Sequence, residues 1–92
     1  MRHVILEVAR VSGVTPEQIT GPSRQRSRVR ARQMAMLICH EYCQASLPEI
    51  GRVFNRDHST VKHGVDRTKE RITPADRNDM KNIARRCGLL IE

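Results

Sequence analysis

Ser46-Leu47-Pro48-Glu49-Ile50-Gly51-Arg52-Val53-Phe54-Asn55-Arg56-Asp57-His58-Ser59-Thr60-Val61 carries two helix starts in one short stretch. Ser46 and Glu49 form a Ser-x-x-Glu capping box with Pro48 in the first turn, so a helix begins here. Leu47, Ile50, Val53 and Phe54 supply its buried side, and Gly51 permits the close approach of a neighbour. The helix ends within about two turns, at Asn55. Asp57 then caps a second helix, predicted from His58 to about Ile72, where Thr73-Pro74 stops it. Val61, Val65, Thr68 and Ile72 share one face of it with Gly64 between them, and Ser59, Lys62, His63 and Asp66 share the other. A short helix, a very short turn and a longer helix make a helix-turn-helix, spanning about residues 46–72.

Working outward, Val4, Ile5, Val8 and Val11 recur at helical spacing and give a first helix that Gly13 ends. Thr15-Pro16-Glu17 opens a brief second one through Ile19, broken by Gly21-Pro22-Ser23. Arginines at 24, 26, 28, 30 and 32 alternate along the chain, a pattern that suits a basic loop over residues 21–32. That loop feeds a helix from about Val29 to Cys43, with Met34, Leu37, Ile38 and Tyr42 as its apolar stripe. Beyond the helix-turn-helix, Thr73 caps a last helix from about Ala75 to Arg86 that packs Met80, Ile83 and Ala84, and Gly88 ends it.

Composition agrees with an all-α fold. Ninety-two residues support one domain, here 1–92, with one modest core. The only aromatic residues are Tyr42 and Phe54, so the core is built from aliphatic side chains, Met and Ala, which favours helices over a sandwich or barrel. The net charge is +7, and residues 24–33 hold five arginines with no acidic residue among them. A basic excess gathered in one stretch is the footprint of a polyanionic partner, although a solvated loop has the same composition. No apolar run reaches the length of a membrane span, and nothing resembles a secretory signal. An odd number of cysteines, Cys39, Cys43 and Cys87, points to a reducing cytoplasm, with the thiols as small core residues.

A helix-turn-helix lays its second helix in the major groove of a duplex, where the N-terminal side chains reach base edges. Asp57, His58, Ser59 and Thr60 stand at those positions. Asp57 can accept from a cytosine amino group, and the Thr60 methyl can pack on a thymine methyl. Thr60, His63 and Arg67 continue along one edge, toward the phosphates. Lys62 lies outward, as either a solvated lysine or a phosphate contact.

Other chemistries suit the residues less well. Cys39-His40-x-x-Cys43 with Cys87 does not make either common two-plus-two zinc spacing, so core packing is the better reading and no metal site is expected. His40 reads as a polar residue of the helix surface. The consecutive Asp57-His58-Ser59 cannot line up as orienter, base and nucleophile, so no enzyme is expected. RNA binding fits the charge, but both rings occupy core-like positions where they cannot stack on bases.

Leu47-Pro48-Glu49-Ile50-Gly51, followed by Arg56-Asp57-His58-Ser59-Thr60-Val61 and His63, resembles the C-terminal DNA-binding domain of the DnaA family of bacterial chromosomal replication initiators. Arg30-Ala31-Arg32-Gln33-Met34-Ala35-Met36 is similar to the family's preceding long helix, and the likeness runs over roughly residues 3 to 90. The resemblance implies an all-α domain with a Trp-repressor-like helix-turn-helix that binds a short asymmetric, A/T-rich box in double-stranded DNA. It implies Asp57, His58, Ser59 and Thr60 in the major groove and Arg24 in the adjacent minor groove. Arg32, Gln33, Pro48, His63 and Arg67 would contact phosphates, with Lys62 beside them. It further implies a monomer on its site, in the bacterial cytoplasm at the nucleoid, acting in replication initiation or its regulation.

The chain departs from the family at three places. Asn55 alone separates Phe54 from Arg56 where the family has two residues, Ser59 stands for a Thr, and Gly64 stands for an Ala. It also has no Gly-x-x-x-x-Gly-Lys-Ser/Thr loop, so no nucleotide-binding domain and no cofactor are expected. A free-standing transcriptional regulator of phage or mobile-element type, a domain excised from an initiator, and a protein-interaction module that kept the fold all remain open readings of the same residues.

Overall fold

Six helices make up the computed structural model, which describes residues 1–89: α1 (Arg2–Ser12), α2 (Pro16–Thr20), α3 (Arg26–Glu41), α4 (Leu47–Phe54), α5 (His58–Arg71) and α6 (Pro74–Arg86). Local capping sets most of these boundaries. Thr15 with Gln18, Ser46 with Glu49 and Thr73 with Asp76 each form a reciprocal capping box, with a proline in the first turn. Gly13 ends α1 in the left-handed conformation, at φ 72°.

α3 touches each of the other five helices. Its burial follows from that position. Leu37 and Ile38 of the expected stripe are fully buried while Met34 and Tyr42 are half-buried, and Ala31, Ala35, Met36 and Cys39 are buried as well. A helix wrapped on several sides has no single apolar stripe to read. Ile19, Ile50, Phe54, Val61, Val65, Met80 and Ile83 complete the core from the surrounding helices.

Several expectations need correction, among them Val53, which is exposed rather than on the buried side of α4. α3 starts at Arg26 rather than near Val29, so the irregular basic segment is 21–25, not 21–32. Arginine is a good helix former, and residues two apart lie about 200° apart around a helix, so alternation divides the arginines between two sides. Arg26 and Arg30 are exposed, whereas Arg28 is half-buried and Arg32 buried. His40, expected on the surface, is half-buried, and its Nδ1 is buried without a hydrogen-bond partner.

The helix-turn-helix forms with the shortened turn intact. Asn55 takes up the left-handed conformation, φ 56° and ψ 48°, and the Arg56 N–H donates to the Gly51 carbonyl at 2.8 Å. Gly51 is required here, because a Cβ on it would collide with the Arg56 carbonyl oxygen. No helix among the described residues is long and apolar enough to cross a membrane.

Candidate nucleic-acid interface

The end of α5 that faces away from the core carries the expected reading residues. Asp57 is the N-cap: its Oδ1 accepts from the Thr60 N–H at 2.8 Å. That backbone hydrogen bond holds the Asp57 carboxyl below the usual carboxylate range, so it stays an acceptor at neutral pH. Asp57, His58, Ser59 and Thr60 are all exposed, on a helix anchored from behind by the buried Val61 and Val65. The helix N-terminus also offers backbone N–H groups to an anion.

Among the expected phosphate contacts, Pro48, Lys62, His63 and Arg67 are exposed and Gln33 is half-buried. Lys62 is paired with Asp66 one turn on, at 2.8 Å and with both side chains more than half exposed. Such a pair is weak and screened, so the ammonium is free to exchange its partner. Arg24 is exposed on the irregular segment 21–25.

Arg32, also expected at a phosphate, is placed differently. Only 7% of it is exposed, and its guanidinium points back into the protein. Nε donates to the Ile19 carbonyl at 2.6 Å, and Nη2 donates to those of Gly21 at 2.9 Å and Ser23 at 3.1 Å. The reason lies in α2. A five-residue helix leaves its last carbonyls without intrahelical donors, at the negative end of its dipole, and a planar cation satisfies several at once. Burial, with Arg56 nearby, lowers the pKa of Arg32 from its ordinary value.

Arg56, which opens the Arg-Asp-His stretch, does the same job from the other side. Its Nη1 donates to the carbonyls of Thr20 at 3.2 Å and Phe54 at 2.6 Å, and its Nη2 donates to that of Gly21. The Gly21 carbonyl therefore accepts from both arginines. This clasp joins the segment that carries Arg24 to the turn that precedes Asp57, which sets the minor-groove candidate relative to the major-groove candidates. Sequence reasoning missed it: apart from the Phe54 carbonyl, two residues from Arg56, the donors and acceptors lie 9 to 36 residues apart.

The cysteines are free, and Cys39 is buried. Burial pushes the Cys39 thiol up to about 12, which keeps it protonated and inert. Among the described residues, no three His, Cys, Asp or Glu side chains converge as metal ligands.

The family model for the bacterial dnaA protein helix-turn-helix matches residues 1–68, which include α1 to α4 and most of α5. The chain belongs to that family. The match stops short of the expected residue 90, leaving the end of α5 and all of α6 outside it. Among individual proteins, the chain is similar to the chromosomal replication initiator protein DnaA of Thermus thermophilus, 42% identical over 69 residues, 74% of this chain and 16% of that protein. It is 48% identical to that of Ruegeria sp. over 65 residues, 70% of this chain and 14% of that protein. For Deinococcus radiodurans the figures are 43% over 72 residues, 78% of this chain and 16% of that protein. The chain thus spans about a sixth of the length of the DnaA relatives it matches.

Proposed function

We propose that this DnaA-family domain binds double-stranded DNA sequence-specifically, through a helix-turn-helix and an accessory arginine segment. The observation that carries the reading is the exposed, capped N-terminus of α5, where four short polar residues project from a helix held rigidly by its other face. Asp57, His58, Ser59 and Thr60 read base edges in the major groove, and Arg24 enters the adjacent minor groove. Gln33, Pro48, Lys62, His63 and Arg67 meet phosphates and set the register. The preferred site is a box of the kind that DnaA proteins bind, read by one copy of the domain, and the role is in replication initiation or its regulation at the bacterial nucleoid. The activity is binding, without catalysis.

Selection of binding sites from random duplexes tests the proposal. Enrichment of a short, asymmetric, A/T-rich box is the expected result. Enrichment of an unrelated motif would retarget the domain to a different regulatory role, and no enrichment at all would overturn sequence-specific binding.

A further inference from the structure

A cleft of about 580 Å³ lies between the start of α3, the second half of α5 and the start of α6. Arg24, Arg26 and Arg30 line it from one side, Arg67 and Arg71 from the other, and Asp76 supplies its one carboxylate. Asp76 is already committed: it accepts from the Thr73 N–H in the capping box and lies 3.6 Å from Arg30. The side chains of Arg24, Arg26, Arg67 and Arg71 make no hydrogen bond or ion pair among the described residues, and all four residues are exposed. Like charges gathered around one concavity raise its potential and call for a multiply charged anion.

The position of the cleft identifies that anion. Thr60, His63, Arg67 and Arg71 follow one another along a single edge of α5 at spacings of three and four. At 1.5 Å per residue, Arg71 lies about 16 Å along the axis from Thr60, farther than the roughly 12 Å width of the major groove. With Asp57–Thr60 in the major groove and Arg24 in the neighbouring minor groove, one sugar–phosphate strand has to pass between them. The cleft has Arg24 on one wall and Arg67 on the other, which is where that strand runs.

We propose that this cleft seats the phosphate backbone separating the two grooves, with Arg26, Arg30 and Arg71 as phosphate contacts beyond those set out above. The proposal rests on the duplex-binding reading. Arg71 lies beyond residue 68, where the family match ends. Arg30, itself exposed, exchanges its 3.6 Å pairing with the largely covered Asp76 for a phosphate.

The test measures affinity for the duplex enriched by selection, and for a scrambled duplex, across a series of salt concentrations. Arg71→Ala and Arg26→Ala are each expected to reduce the slope of log K against log salt by about 1, equally on both duplexes. A neutral methylphosphonate placed at successive backbone positions should weaken the native protein at one or two linkages and leave Arg71→Ala indifferent there. Both side chains are exposed, and far-UV circular dichroism confirms that the variants fold. Unchanged slopes in a protein that still binds the duplex overturn the cleft proposal alone. Absence of any duplex binding by the native protein overturns it together with the reading beneath it. Unchanged slopes with Arg71-dependent retention of polyglutamate assign the cleft to an acidic protein instead, and overturn it as a backbone seat.

Discussion

Arg32 and Arg56 turn their guanidinium groups onto the carbonyls at the end of α2, whereas Arg24, Arg26, Arg67 and Arg71 leave theirs in solvent around an open cleft. The residue type is the same, and Arg32 belongs to the same alternating run as Arg24 and Arg26. What differs is the supply of acceptors. The inward pair meets oxygens that a short helix leaves unsatisfied, and the outward set meets none, so its charge is available to a ligand. An arginine count therefore overstates the binding surface, and two of these positive charges hold the fold together.

The largest effect that would sharpen this contrast is on stability. Arg32→Ala is expected to destabilise the domain by roughly 2–3 kcal/mol in urea unfolding, since it strands several carbonyls bonded to a charged donor. Arg32→Lys should recover little, because one ammonium cannot reproduce the fork. Full stability in Arg32→Ala with a uniform loss of DNA affinity would return this residue to the phosphate contacts and break the comparison.

His58→Ala is the converse experiment. It should cost roughly 1–3 kcal/mol of binding on the preferred duplex, relax specificity, and leave the unfolding midpoint unchanged. Equal losses on preferred and scrambled DNA would remove His58 from base reading. Gly64→Ala separates stability from binding at a smaller scale. A Cβ there meets the Met36 sulfur at 3.7 Å and the Gln33 Cγ at 4.0 Å, ordinary contacts, so the helix should gain about 0.5–1 kcal/mol. An unaltered or lower melting temperature would show that Gly64 is needed for packing.

The smallest effect is acid dependence. Asp57, Asp76 and Glu49 are held below the usual carboxylate range by cap hydrogen bonds to Thr60, Thr73 and Ser46 respectively. A depressed folded-state pKa stabilises above the unfolded value of about 4 and loses that stabilisation as the pH falls through the folded one. The melting temperature should thus hold near neutrality and decline below about pH 4. Asp57→Asn, which keeps a capping oxygen without the charge, should flatten part of that decline.

The helix-turn-helix was legible because it rests on neighbours. The helix end at Asn55 was readable, as were the helix starts at the Ser46 box and the Thr73 cap, each from residues within one turn. α3 was less legible: an alternating run of arginines looks extended, and nothing local reveals that a buried helix takes two of its sides in different directions.

The sequence by itself determined that there are six helices, the caps at Thr15, Ser46, Asp57 and Thr73 and the polar face of α5, because capping and helical periodicity act over three or four residues and these partners are present in the local pattern. Tertiary structure alone decided which arginines face inward. Their acceptors are main-chain carbonyls, which every residue carries and no sequence pattern marks, and they become unsatisfied and reachable only when α2, the Asn55 turn and α3 have packed together.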